Sequence, residues 1–407
     1  RVRKLRATAE NYPNRKEIDM SNEGHPRFSD AEVARRFDAA RALMDDKGLD
    51  ALVIFGHSGN RRHYQADVHY FSNVALFHES YVVIPRNGEP VLYSTHNNHH
   101  QNARELSVIP DIRKVTRAKG VPEVLGGDLD RMGLGKARLG MAGPFFYQDM
   151  DGLRRRLPEA RMTDVSMALR RIRSRKSAEE LDWQRKAAVG CDRVMEALRR
   201  EIRPGIEERE ILIIAENAAW DAGCAPTFLY LNSTPMAASE TCVPNQLWSR
   251  RKIRRGDVIN TELTVNYGMY CSQILRPFFL GEPTPQYQAI NDLMMRAYRE
   301  LCGAIKAGTT AGELYDISLM IREAGYSTVD GIAHGFGVDI QPPSGVPNGF
   351  NPPPFPDDVL EEGMTYVVQP NPVTPDEKAG MQLGDMGVVT ATGFEVVHRY
   401  PAEVTVL

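Results

Sequence analysis

Four short segments in the second half of this 407-residue chain constrain its fold more than any other feature. Each combines apolar residues with glycine or polar side chains at a characteristic spacing, and they occupy residues 255–278, 332–342, 361–370 and 380–390. The first contains Glu262 and, eleven residues later, Gln273. The other three contribute His334, Gln341, Gln369, Gly384 and Asp385.

These segments resemble, in the same order, the signatures of the pita-bread enzymes, the family of methionine aminopeptidase, prolidase, aminopeptidase P and creatinase. The family's first segment is a metal-binding hairpin with two aspartates, and Glu262 and Gln273 stand at those positions. The resemblance puts the other three metal-ligand positions at His334, Gln369 and Gly384. It also matches Gln341 to a substrate-facing histidine and Asn245 to a non-ligand histidine that precedes the hairpin in some members.

Only two of these five ligand positions, Glu262 and His334, keep a carboxylate or an imidazole. A pair of divalent metal ions needs several anionic oxygens, including carboxylates that bridge the ions. Glutamine amide oxygens are neutral and bind divalent metal ions weakly, and glycine offers no side chain. The sequence therefore predicts a metal-free site without any cofactor. By resemblance, it points to the metal-independent members of the family, of which creatinase is the best-known type.

Composition excludes several partners and gives an expectation for the compartment. The formal net charge is −3, which gives no electrostatic reason to expect nucleic acid or an anionic membrane surface as a partner. No apolar run is long enough to span a bilayer. The five cysteines are scattered without a C-x-x-C pair, which is typical of reduced thiols and predicts a cytoplasmic protein.

The chain divides into three parts on pattern and resemblance. Residues 1–28 are expected to form an irregular N-terminal extension. Residues 29–165 alternate amphipathic helices with short apolar strands, which predicts an α/β N-terminal domain like that of creatinase and prolidase. Residues 166–407 are expected to form the α+β pita-bread catalytic domain. In its first long helix, Ser177 is the expected N-cap.

Glu262 and His334 are the candidate catalytic residues. A histidine that holds no metal can carry a proton, and a carboxylate in the same partly buried cleft can act as its acid–base partner. An alternative is that the two side chains merely satisfy each other in a relic site. The amides of Gln273, Gln369, Asn245 and Gln341 are expected to orient a polar substrate, together with Asp385.

The N-terminal half contributes a second group of candidates. By resemblance to creatinase, Phe77, His78 and Glu79 are expected to reach the active site of a partner subunit in a homodimer. Glu79 stands where creatinase has an arginine suited to a carboxylate, which argues against creatine as the substrate. The run from His96 to His100 contains three histidines, but it lacks regular metal-ligand spacing and a carboxylate, so it is interpreted as a polar turn.

Three functions from different classes fit these observations. The preferred prediction is a metal-independent hydrolase that opens a C–N bond, outside peptides, in a small polar nitrogen compound. A lyase that removes a proton by general-base catalysis is the first alternative. A non-catalytic relative that binds a small molecule or a protein is the second. Product analysis separates hydrolase from lyase, and ligand binding without turnover would identify the third.

Overall fold

A computed structural model describes residues 24–57, 62–116, 119–343, 345 and 347–407. Most of the predicted extension over residues 1–28 lies outside these ranges. The helices are α1 Asp30–Lys47, α2 Ala66–Ser72, α3 Asn97–Leu106, α4 Gly120–Arg131, α5 Tyr147–Arg156, α6 Ser166–Ser174, α7 Ala178–Glu201, α8 Glu208–Asp221, α9 Pro285–Ala304 and α10 Ala311–Glu323. Two 3₁₀ helices span Arg62–Gln65 and Asn348–Phe350.

The strands form an N-terminal and a C-terminal group. The first group comprises β1 Ala51–Gly56, β2 Ser80–Pro85, β3 Val91–Ser94, β4 Asp111–Lys114, β5 Arg138–Ala142 and β6 Arg161–Asp164. The second comprises β7 Ala225–Pro235, β8 Asp257–Tyr267, β9 Tyr270–Leu275, β10 Phe278–Phe279, β11 Ser327–Thr328, β12 Ala333–Phe336, β13 Ile340–Gln341, β14 Thr365–Val368, β15 Pro372–Val373, β16 Gly384–Val389, β17 Phe394–Val396 and β18 Thr405–Val406.

The N-terminal domain is a six-stranded mixed sheet in the order β4-β3-β2-β1-β5-β6. Its central strands are apolar on both faces: Leu52 and Ile54 pack into one core, and Val53 and Phe55 into another. Helices α1 and α2 contribute to the first core, and α4 and α5 to the second. A strand that is covered on both sides reads as a continuous apolar run, which is why the sequence alone predicts these strands.

Helix α6 packs with the N-terminal core through Leu169, although the predicted division places it in the catalytic domain. At its end, the buried guanidinium of Arg173 lies 2.7 Å from Asp67 and 2.6 Å from Asp339. Asp67 belongs to α2 of the N-terminal domain and Asp339 to the loop before β13. One arginine therefore connects the two domains.

The C-terminal domain is built on a ten-stranded sheet with the path β13-β12-β14-β16-β9-β8-β10-β18, to which β7 and β17 add at β8 and β16. Helices α7 and α8 pack on β8 and β9 in one core, and α9 and α10 form another core with β14 and β16. Ser177 caps α7 as predicted, because its side chain accepts a hydrogen bond from the Glu180 N–H.

The β8–β9 hairpin turns through Gly268 and Met269, whose φ angles of 54° and 77° are both positive. Two consecutive positive φ angles are typical of the two-residue turns that match the twist of paired strands. A Cβ on Gly268 would lie 2.4 Å from the Trp183 ring, so only glycine fits there. This turn fixes the register that carries Glu262 and Gln273.

Candidate active site on one face of the C-terminal sheet

Strand register places the five predicted ligand positions on a common face of the sheet. Thr264 of β8 pairs with Gln273 of β9, and Leu275 of β9 pairs with Gly384 of β16. Val367 of β14 pairs with Met386 of β16 and with His334 of β12. Directly paired residues share a face and side chains alternate along each strand, so Glu262, Gln273, His334, Gln369 and Gly384 all point the same way.

A further carboxylate lies among these residues. Gln369 Nε2 donates a hydrogen bond of 3.0 Å to Oδ2 of Asp330 and one of 2.9 Å to the Gly331 carbonyl. Asp330 is partly buried and its charge acts on both Glu262 and His334. Sequence reasoning missed Asp330. We call Glu262, Gln273, Asp330, His334 and Gln369 the inner-face cluster.

Glu262 has a pKa far from that of an ordinary carboxyl group. Burial and the nearby Asp330 carboxylate raise the pKa of Glu262 to about 7, against the opposing effect of the Gln382 and Gln273 amides. Gln273 Nε2 donates to Glu262 Oε1 at 2.9 Å. A carboxyl group with this pKa is present in both protonation states near neutral pH, as a general acid–base group requires.

His334 is held as a neutral imidazole. Its Nδ1–H donates to the Gly335 carbonyl at 3.2 Å, which leaves the lone pair on Nε2. Burial lowers the pKa of His334, although the Gly335 carbonyl and Asp330 oppose this effect. Near pH 7 the ring therefore offers one acceptor nitrogen rather than a positive charge.

Several acceptor atoms on this face have no partner within the described structure. They are Thr264 Oγ1, Gln273 Oε1 and Gln369 Oε1, each buried and without a hydrogen bond. A buried acceptor without a partner costs roughly 1–3 kcal/mol. A bound molecule with N–H groups would recover that free energy.

Two other predicted substrate contacts, Gln341 and Asn245, have different surroundings. Oε1 of Gln341 accepts a hydrogen bond from the buried ammonium group of Lys176. Asn245 is exposed beside β7, where its backbone N–H donates to the Leu231 carbonyl at 3.1 Å. Neither residue contacts the inner-face cluster through these bonds.

Asp385 follows Gly384 on β16, so its side chain points to the opposite face. It is fully buried and contacts Arg276 Nη2 at 2.7 Å, the Tyr298 hydroxyl at 2.6 Å and His398 Nδ1 at 2.8 Å. These partners occupy both carboxylate oxygens. The predicted role of Asp385 in substrate binding is therefore not retained, and its geometry is that of a structural ion pair.

The predicted N-terminal contacts Phe77, His78 and Glu79 lie just before β2. Phe77 is exposed, and Glu79 accepts a hydrogen bond of 3.1 Å from the Thr95 hydroxyl. Whether they reach a partner subunit's site stays a prediction, as does the homodimer. Among the described residues, no helix is both long and apolar enough to cross a bilayer. All five cysteines are free thiols.

Comparison with known families identifies both domains. Residues 182–391 match the model of metallopeptidase family M24, and residues 36–175 match the creatinase/prolidase N-terminal domain. The M24 match covers more than half of the chain. The chain belongs to metallopeptidase family M24.

Individual relatives within M24 share the complete two-domain architecture. An Xaa-Pro dipeptidase of Pyrococcus furiosus is 23% identical over 365 residues, which cover 89% of this chain and 97% of the relative. Two solved structures share the fold. The X-Pro aminopeptidase of Thermotoga maritima has a TM-score of 0.78 and 20% identity, and covers 91% of this chain and 99% of its own. The prolidase of Pyrococcus horikoshii has a TM-score of 0.76 and 23% identity, with the same coverage.

These comparisons confirm the predicted fold and correct the predicted function. The matched family is described as a metallopeptidase family, and relatives that cover most of the chain are named as Xaa-Pro dipeptidases, not as hydrolases of other C–N bonds. The prediction of a metal-independent, creatinase-like enzyme that is not a peptidase is therefore wrong. Absence of ligand side chains alone was not sufficient reason to assign the chain to the creatinase branch.

The family name implies a metal centre, so we tested whether the ligand positions of this M24 member fit one. A Cβ at Gly384 would lie 2.5 Å from the Val368 carbonyl oxygen and 2.9 Å from both Gln369 Cβ and Leu275 Cδ1, so a carboxylate side chain has no room there. Gln273 and Gln369 supply neutral oxygens. Within the described ranges, Glu262, Asp330 and His334 do not bring three ligand atoms together. The inner-face cluster does not fit a pair of divalent ions.

Proposed function

We propose that this chain is a hydrolase that cleaves the amide bond of a short, peptide-like molecule at the inner-face cluster. The observation that carries the proposal is the partly buried Glu262, whose pKa of about 7 suits proton transfer near neutral pH. The names of the relatives support the substrate class, because they describe Xaa-Pro dipeptidases.

The residues of this chain suggest a sequence of proton transfers. Ionised Glu262 accepts a proton from water as the water oxygen bonds to the amide carbon. Protonated Glu262 then donates that proton to the amide nitrogen as the C–N bond breaks, which yields a carboxylic acid and an amine. Burial and the charge of Asp330 together raise the pKa of Glu262 to about 7, which supports both steps. A single group that acts first as base and then as acid is common in hydrolysis.

The remaining residues of the cluster would bind the substrate. The unpartnered oxygens of Gln273 and Gln369 accept hydrogen bonds from N–H groups, which a peptide-like molecule provides. His334 Nε2 is a further acceptor at the same face. This set recognises donors, so a substrate with a free ammonium group or several amide N–H groups fits better than a carboxylate-rich one.

The test is a product assay on a panel of Xaa-Pro dipeptides, other dipeptides and small N-acyl amines, with amine release measured by mass spectrometry. Each reaction is run with chelator and, separately, with added Mn²⁺, Co²⁺ or Zn²⁺. We expect amine release from at least one dipeptide, and Glu262→Gln to lower its rate by about 10²-fold or more. Glu216→Gln, an exposed position on α8, is the matched control and should retain full activity.

Two results would overturn the proposal. Saturable dipeptide binding without amine release in any arm would make the cluster a binding site rather than an active site. Hydrolysis that persists in the Glu262→Gln variant would mean that a group other than Glu262 transfers the proton.

A further inference from the structure

Three histidines of the N-terminal domain converge, although one of them lies 18 residues before the other two begin. His78, His96 and His99 each offer one ring nitrogen, and these three atoms lie within 4.8 Å of one another. All three side chains are only partly buried, so a dissolved ion can reach them. We call them the histidine triad. In the described part of the chain, no other group of three histidine, cysteine or carboxylate side chains meets this distance criterion.

Two members of the triad meet through strand pairing. Ser80 of β2 pairs with Ser94 of β3, and Thr95 continues this pairing through hydrogen bonds of 3.3 Å from its N–H and 2.9 Å from its hydroxyl to the Glu79 carbonyl. The next cross-strand position places His78 opposite His96. Their rings stack with centroids 4.3 Å apart and an interplanar angle of 11°.

The third member arrives on a helix. His96 is the N-cap of α3, so His99 stands in the first helical turn, three residues later. Its ring centroid lies 5.5 Å from that of His96 and 5.7 Å from that of His78. The neighbouring His100 does not take part, because its Nδ1 is hydrogen-bonded to the Ser94 hydroxyl at 3.1 Å.

A hydrogen bond from His96 to a neighbouring side chain orients its ring for a ligand. His96 Nδ1 lies 2.6 Å from Asn98 Oδ1, and a hydrogen bond there leaves the lone pair on Nε2. Hydrogen bonds of this kind orient metal-binding imidazoles in known sites.

We propose that His78, His96 and His99 bind one divalent transition-metal ion of the Zn²⁺, Co²⁺ or Ni²⁺ class. Three imidazoles without a carboxylate suit these borderline cations and not Mg²⁺ or Ca²⁺, which require oxygen ligands. Metal–nitrogen bonds of about 2.0–2.1 Å at tetrahedral angles separate the nitrogens by about 3.3 Å. The nitrogens of the triad lie within 4.8 Å of one another, so side-chain rotation has to bring them closer, and three ligands leave a fourth position for water or a substrate atom.

This site is separate from the inner-face cluster and does not depend on the proposed hydrolase function. It lies at the β2–β3 end of the N-terminal domain, whereas the metal-ligand positions of M24 fall on the C-terminal sheet. Glu79 is adjacent, but its carboxylate contacts Thr95 rather than the triad.

The experiment uses the full chain purified without a polyhistidine tag, stripped with chelator and titrated with Zn²⁺ by calorimetry. Co²⁺ absorption spectroscopy then reports nitrogen coordination. We expect one equivalent of metal to bind. His96→Gln and His99→Gln should each weaken binding by more than about 100-fold, and Asn98→Ala by about 10- to 100-fold, as outer contacts of metal sites do.

Two variants locate the bound ion. His25→Gln, at an exposed position in the same half of the chain, should bind as the wild type does. Glu262→Gln should also bind normally, since it alters only the inner-face cluster. Circular dichroism confirms that each variant is folded. Absence of stoichiometric binding, or binding that the His96 and His99 variants retain and the Glu262 variant loses, would overturn the proposal.

Discussion

Gln273 Nε2 donates a hydrogen bond of 2.9 Å to Glu262 Oε1 across the β8–β9 pair. The sequence resemblance matches both residues to metal-ligand positions, yet here an amide supports a carboxylate directly. The bond stabilises the charged form of Glu262, while burial and Asp330 stabilise the neutral form. The balance leaves the pKa of Glu262 at about 7, and two predictions depend on it.

The first prediction concerns the pH dependence of stability. The pKa of Glu262 is about 7 in the folded chain and about 4.3 when unfolded, so the folded state holds a proton that the unfolded chain releases between these values. The free energy of unfolding of the wild type therefore falls over this window by up to ~4 kcal/mol. The Glu262→Gln variant has no carboxyl group to titrate at this position. The difference in free energy of unfolding, variant minus wild type, should therefore rise from pH 5 to pH 8.

Urea denaturation of both proteins at pH 5, 6, 7 and 8 measures that difference. Glu216→Gln, which replaces an exposed carboxyl, serves as the control and should show a constant difference. A constant difference for Glu262→Gln as well would mean that the pKa of Glu262 is ordinary.

The second prediction concerns Gln273. Replacement by methionine removes the donor to Glu262 Oε1 and keeps a similar side-chain volume. The charged form loses support, so the pKa of Glu262 should rise above its wild-type value. In the same denaturation series, the pH window in which stability falls should extend upward. A window that moves downward would contradict the assigned direction of the Gln273 hydrogen bond.

The third prediction concerns the space around Gly384. A glycine-to-alanine change in a strand usually stabilises by restricting the unfolded chain. At Gly384 the new Cβ would meet a carbonyl oxygen at 2.5 Å, so Gly384→Ala should destabilise by about 1–3 kcal/mol instead. The matched control is Gly393→Ala, where nothing lies within 4 Å. Equal midpoints for the two variants in urea denaturation would show that the strand relaxes easily.

The fourth prediction concerns the ion pair between Asp385 and Arg276, both fully buried. Asp385→Asn leaves the guanidinium charge in the core without a counter-ion and should destabilise by about 3–5 kcal/mol. Asp358→Asn removes the partner of the exposed Arg171 and should cost under about 1 kcal/mol. A difference of less than 1 kcal/mol between the variants would indicate that water reaches Arg276.

Much of the fold was predictable because its signals are local. Strands such as β1 and β2 are buried on both faces and read as apolar runs, and α7 begins at a recognisable cap, Ser177. The four C-terminal segments could be recognised in order because each keeps glycine or proline residues at the characteristic spacing even where the ligand residue differs. Backbone requirements of this kind do not depend on the site chemistry.

The inner-face cluster was only partly predictable. Glu262, Gln273, His334 and Gln369 fell on positions of known spacing. Asp330 did not, because it lies outside those positions, in the loop between β11 and β12, and joins the cluster through a hydrogen bond from the Gln369 side chain. The histidine triad was missed for a related reason. His78 and His96 are opposite each other only through the Ser80–Ser94 register, which the sequence does not specify.

The crowding at Gly384 also limits how this site can change in evolution. A glutamate there meets Leu275, Gln369 and the Val368 carbonyl oxygen, and the last of these is a backbone atom. No side-chain substitution removes a backbone oxygen, so a longer residue at position 384 requires β14 and β16 to move apart. Position 384 therefore changes together with the spacing of two paired strands rather than by itself.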